Sequence, residues 1–177
     1  MSDGSVDRRE LLRGMMRTAH AVLEGTMEGV TTQIAQWSPP GTAVPAGATY
    51  AHILLGEVGL LCKVIKGVEP PQADDWSAIG LSEPLTPGAD SEGAWARRVQ
   101  VDVTKLRAFA QRVYEATDAY IANASDEELD RPVAQGWPSG PMPVAAFIAN
   151  VMALHVANHT GEISTLKGEQ GLKGYPF

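Results

Sequence analysis

Apolar residues recur at three- and four-residue steps in four stretches of this chain. The first carries Leu12, Met15, Met16, Ala19, Leu23, Met27, Val30 and Ile34, a repeat that predicts one amphipathic helix of about 25 residues. Ser38-Pro39-Pro40-Gly41 closes it, because proline lacks a backbone donor and restricts the residue before it. A second helix is expected from Thr49, read as its N-cap, to Lys66-Gly67. The third opens at Ser91-Glu92 and carries Trp95, Val99, Val103, Leu106, Phe109, Ala110, Val113 and Tyr120 on one stripe. The fourth runs from Pro143 to about Lys167-Gly168. No alternating Val/Ile/Thr-rich segment is long enough to predict a strand, and no internal repeat is visible.

Four long amphipathic helices predict an all-α four-helix bundle, with residues 1–177 as a single domain. Between the second and third helices, Val68 to Ser91 contains Pro70, Pro71, Pro84 and Pro87. It is longer than compact domains usually allow, so it is read as a crossover along the bundle ahead of a flap over a site. At 177 residues the chain can bury a substantial core. A net charge of -7 and the lack of a Lys/Arg run argue against nucleic acid as a partner. One cysteine excludes an intramolecular disulfide framework and any multi-cysteine knuckle. Met1 to Glu10 does not resemble a signal peptide. Val144 to Ala157, the longest apolar stretch, is too short to span a bilayer. The expectation is a cytoplasmic protein with no membrane association.

The chemistry concentrates in the fourth helix, at His155-Val156-Ala157-Asn158-His159. Residues four apart lie about 40° apart on a helix, one turn above each other, so both imidazoles face one way. His52, in the apolar setting Tyr50-Ala51-His52-Ile53-Leu54-Leu55, is the expected third member. Three neutral imidazoles suit a divalent ion such as Zn²⁺ or Ni²⁺ and leave a coordination position open. The competing reading is a set of histidines that only hydrogen-bond to buried groups. Glu162 falls within about 20° of His155 on the same face. It stands as a catalytic base, a partner fixing a histidine tautomer, a fourth ligand, or a solvated carboxylate.

Other positions are read more plainly. Gly56 and Gly59 flank His52 and either permit close helix contact or leave space beside a ligand. His20 is expected as a buried, hydrogen-bonded histidine and not a ligand. Cys62 is expected in the apolar core, and Glu57, about 140° from His52, on a polar face. Asn150 and Asn158 flank the histidine stripe as hydrogen-bond donors to a ligand. There is no phosphate loop, no G-x-S-x-G elbow, no H-E-x-x-H and no paired E-x-x-H of di-iron bundles.

These motifs, in this order, resemble the DinB/YfiT-like superfamily. The resemblance spans nearly the whole chain. It rests on Trp37-Ser38-Pro39-Pro40-Gly41, on Ala51-His52-Ile53-Leu54, and on His155 to Ile163 continuing to Gly171-Leu172-Lys173-Gly174-Tyr175-Pro176-Phe177. It implies an up-down-down-up bundle and one divalent metal held by His52, His155 and His159. Glu162 stands where many members carry glutamine, which weakens a universal catalytic role for it. Some members are transferases or isomerases that use a low-molecular-weight thiol such as mycothiol or bacillithiol. The expected function is therefore a metal-dependent enzyme, either thiol-dependent or a metal-activated-water hydrolase, acting on a small-molecule substrate. The alternative is a non-catalytic metal-binding stress-response or ligand-binding protein. A homodimer is an assembly open to such a chain.

Overall fold

In a computed structural model, residues 6–71, 75–85, 92–134 and 140–177 are described. Asp7 accepts a hydrogen bond from the Arg9 backbone and caps α1 (Arg8–Thr26). The single long first helix expected from the apolar repeat is in fact two. Gly29 takes a positive φ of 73°, and Thr31 then caps a separate short helix, α2 (Thr32–Gln36), through the Ile34 backbone. The repeat survives the break because Met27 and Val30 still bury their side chains in the turn.

The second long helix, α3 (Ala46–Gly59), begins three residues before the expected Thr49 cap, with Pro45 as N-cap. Thr49 lies inside it and returns its hydroxyl to the Pro45 carbonyl. It continues as a π-helical stretch, Leu60–Lys66, ending at Gly67 in the left-handed conformation. A single 3₁₀ turn follows at Trp76–Ile79. Leu81 pairs with Val101 in an isolated bridge, and Ile79 and Leu81 are buried. That bridge splits the expected third helix into α4 (Glu92–Arg98) and α5 (Val103–Asn123), the latter capped by Asp102. The expected start at Ser91 lies outside the described residues.

A short helix, α6 (Asp126–Asp130), leads to two minimal strands, β1 (Pro132–Val133) and β2 (Met142–Pro143), paired antiparallel. The fourth long segment is continuous but mixed: α7 (Val144–Phe147), a π-helical stretch Ile148–Met152, and α8 (Ala153–Glu169). Among the described residues the protein is all-α apart from these two-residue strands and the Leu81–Val101 bridge.

Four long segments pack side by side: α1 against α5 and α8, and α3 against the same two. Arg13 meets Asp118 and Glu24 meets Arg107 between α1 and α5. Lys167 on α8 donates to the Thr26 and Glu28 carbonyls at the end of α1, supplying donors to a helix C-terminus that lacks its own. One apolar cluster gathers Leu23, Tyr50, Trp95, Leu106 and Val156, and a second gathers Met16, Leu61, Ile121, Phe147 and Met152. Each such side chain stabilises the fold by roughly 1.5–3 kcal/mol on full burial.

Ala46–Lys66 is long and apolar enough to cross a membrane by length and composition alone. Half of that segment is buried against the other helices, the pattern of a helix hydrophobic all round because it sits in a core.

Candidate metal centre

His52 stands on α3, and His155 and His159 one turn apart on α8; these two helices pack directly. The rings meet at the contact. Centroid separations are 4.9 Å for His52–His155 and 4.7 Å for each of the other two pairs. One nitrogen from each ring falls within 4.8 Å of the others. Gly56 makes the approach possible, since a Cβ built there would lie 2.8 Å from His155 Cε1. Of the two roles open to this glycine, close helix contact is the one it fills. Gly59 has nothing within 4 Å of its Cβ direction.

The donor set is compatible with a divalent cation. His155 Nε2 lies 2.9 Å from His52 Nε2, near the roughly 3.0–3.4 Å between nitrogens sharing one ion at about 2.0–2.1 Å. Without a cation the two nitrogens must share a single proton. His155 Nδ1 is buried with no hydrogen-bond partner, and it stays unpartnered whether His155 Nε2 meets a proton or a cation. Burial, and then the neighbouring His52 and His159, push the His155 pKa down to about 4. That ring is therefore neutral at physiological pH, the state a metal ligand requires.

Glu162 completes the arrangement from outside. Its Oε2 accepts from His159 Nδ1 at 2.8 Å, which fixes the tautomer and leaves the lone pair on Nε2. Of the four roles open to it, the geometry matches the tautomer-fixing partner. All three histidines are only half-buried, so solvent reaches the cluster. Asn150 and Asn158 are exposed.

Two other titratable side chains sit differently from expectation. Glu57 is not on a polar face: it is 1 % exposed. It accepts from the Thr117 hydroxyl at 2.5 Å and pairs with His20 Nε2 at 2.8 Å. The side of α3 opposite His52 faces α5 instead of water, so the angular argument located the face correctly and misjudged what covers it. His20 is buried and hydrogen-bonded as expected, and its ring stacks on Tyr114 at 3.8 Å. Cys62 is half-buried and lies in the π-helical stretch, where a count at 100° per residue no longer holds.

A solved structure described as that of a conserved protein of locus from Enterococcus faecalis is similar in fold. Its TM-score is 0.72 at 14% identity, covering 92% of this chain and 96% of that one. No curated protein matches this chain. A model of the DinB superfamily matches residues 15–163, a span that takes in all three clustered histidines, and the chain belongs to that superfamily.

Proposed function

We propose that His52, His155 and His159 hold one divalent cation, Zn²⁺ or Ni²⁺, and that the protein is an enzyme using it on a small-molecule substrate. The observation that carries this reading is the convergence of three ring nitrogens within 4.8 Å. Three protein ligands on half-buried rings leave a coordination position open to a thiol, a water or a substrate atom. When bound, such an ion lowers the pKa of a coordinated thiol or water toward neutrality. The chain's residues supply the rest. Gly56 lets the His155 ring lie against α3, burial keeps that ring unprotonated, and Glu162 holds the His159 tautomer. Glu162 is more than half exposed, so it also lies where a proton can pass between the site and solvent.

The same reading takes the four long helices as an up-down-down-up bundle. Arg13–Asp118 and Glu24–Arg107 support α1 and α5 running in opposite directions. Met16 clustering with Met152, and Thr26 meeting Lys167, support α1 and α8 running together. Gly47 near Val101 and Glu57 with Thr117 support α3 and α5 running together. Residues 68–91 then serve as the crossover.

Elemental analysis of protein purified without an affinity tag tests the metal. A near-stoichiometric Zn or Ni content is expected, and its loss in His155→Ala. Co²⁺-substituted protein titrated with mycothiol or bacillithiol tests the thiol: a sulfur-to-metal charge-transfer band supports thiol-dependent transfer. Its absence, with metal present, leaves activation of water. Failure to take up Zn²⁺, Ni²⁺ or Co²⁺ ends the metal reading altogether.

A further inference from the structure

A second polar cluster lies between α1, α3 and α5, and nothing in the metal reading uses it. Its centre is His20, 7 % exposed. The ring gives its Nε2 to Glu57, which also accepts from the Thr117 hydroxyl. One ring face is stacked on Tyr114. Tyr114 is held in turn, its hydroxyl donating to Glu24 at 2.9 Å, as does that of Tyr50 at 2.6 Å. A bundle core rarely carries this much polar chemistry, because each group must find a partner as it leaves water.

One polar atom of the cluster is left over. His20 also borders a cavity of about 230 Å³, with Met16, Arg17, Tyr114, Glu115 and Asp118 around it. With Nε2 given to Glu57, Nδ1 is the only polar atom the ring still has to offer. It takes no hydrogen bond among the described residues, yet it is not one of the buried atoms sealed from solvent, so it opens into the cavity. A neutral imidazole that donates from Nε2 to a carboxylate keeps its lone pair on Nδ1.

We propose that this cavity is a ligand site for a small organic ammonium ion. Its N–H donates to His20 Nδ1, and its carbon portion lies against Met16 and Tyr114. The size calls for a small ligand, since sites for drug-sized molecules occupy roughly 300–1,000 Å³. The charges call for a cation. Four carboxylates, Glu24, Glu57, Glu115 and Asp118, face three guanidiniums, Arg13, Arg17 and Arg107. Arg13 and Arg107 also pair outward, with Glu10 and Glu28. Because Arg13 and Arg17 both go to Asp118, Glu115 is the charge left at the rim. An anion would meet it with both guanidiniums already engaged. The site is separate from the histidine cluster, since Glu57 lies about 140° from His52 around α3. This proposal and the metal reading can each fail without the other.

Three probes of one size separate charge from shape: n-butylammonium, n-butanol and n-butyrate. Each is titrated into the full chain at constant pH while nitrogen NMR follows the histidine rings. Butylammonium is expected to shift the His20 signals and to bind about tenfold more tightly than butanol, with butyrate weaker still. The signals of His52, His155 and His159 should not move. His20→Gln assigns the signals and should abolish binding. Glu115→Gln is the second variant. It changes an exposed side chain and should not disturb folding, so it decides the matter even if His20→Gln does not fold. It is expected to weaken butylammonium about fivefold and to leave butanol unchanged, with the same melting temperature as the wild type. Equal binding of all three probes would make the cavity a plain apolar crevice and overturn the proposal. Preference for butyrate overturns it too, as do His20 signals that no probe moves and butylammonium binding that is indifferent to Glu115→Gln.

Discussion

Glu162 and His159 stand three residues apart on α8, so the carboxylate reaches Nδ1 without leaving the helix surface. If its task is to fix the tautomer, only an acceptor oxygen matters. Glu162→Gln keeps one and should change metal affinity by no more than a few-fold. Glu162→Leu removes it and should weaken affinity by about 10–100-fold, the usual effect of losing a hydrogen-bond partner behind a metal ligand. Isothermal titration with Zn²⁺ distinguishes the two, and equal losses would show that the carboxylate charge, or direct ligation, is what counts. Gly56 gives a sharper residue-scale case. Gly56→Ala improves helix propensity by about 1 kcal/mol, yet the new Cβ must displace the His155 ring. Metal affinity should fall at least tenfold while thermal stability of the metal-free protein holds or falls only slightly. Unchanged affinity would mean that the ring has room to move, and the close-packing account of Gly56 would be wrong.

At the scale of elements, the sequence revealed most where one regular helix stayed intact. His155, His159 and Glu162 all lie within α8, so counting at 100° per residue placed them correctly. His52 needed more, since nothing in a single sequence states that α3 packs on α8; an imidazole in an apolar run implied only that a partner exists. Breaks were hidden for a different reason. Gly29 and the Leu81–Val101 bridge interrupt helices whose buried residues keep their spacing through the turn. Both site-bearing segments also contain π-helical turns, Leu60–Lys66 after His52 and Ile148–Met152 before His155, which shift the phase of every residue beyond them. Glu57 shows the limit most clearly. Its placement away from His52 was readable, but only the neighbouring α5 shows that it is buried. There it satisfies Thr117 and His20, and Glu57→Leu should destabilise the fold by about 2–5 kcal/mol because it leaves both without a partner. Urea denaturation measures this, and a loss below 1 kcal/mol would indicate that water or a local shift replaces the carboxylate.

For the whole molecule, the question is how far the fold depends on the proposed metal. The ion would touch three side chains on two of the four long helices, whereas each of the two apolar clusters draws residues from all four long segments. Lys167 and the Arg13–Asp118 pair tie α1 to α8 and α5 independently of the site. Acid, then, should act on the fold through carboxylates remote from the histidines. The Arg13 and Arg17 guanidiniums hold the Asp118 carboxyl down at about 2, and Arg131, with a hydrogen bond from Tyr120, does the same for Glu128. A folded pKa below the unfolded one means that the unfolded chain binds the proton first. Stability from these pairs is therefore complete above about pH 4.5 and is lost as pH falls toward 2, modestly because the pairs are partly solvated. Metal behaves differently. His155→Ala should keep its helical circular dichroism and melt close to the metal-free wild type, apart from the cost of a smaller side chain at a half-buried position. Added Zn²⁺ should raise the melting temperature of the wild type by linkage and leave that of the variant unchanged. If metal-free wild type is instead unfolded at room temperature, the ion is part of the core and its role is structural. An equal Zn²⁺ response in both proteins would place the binding site away from His155.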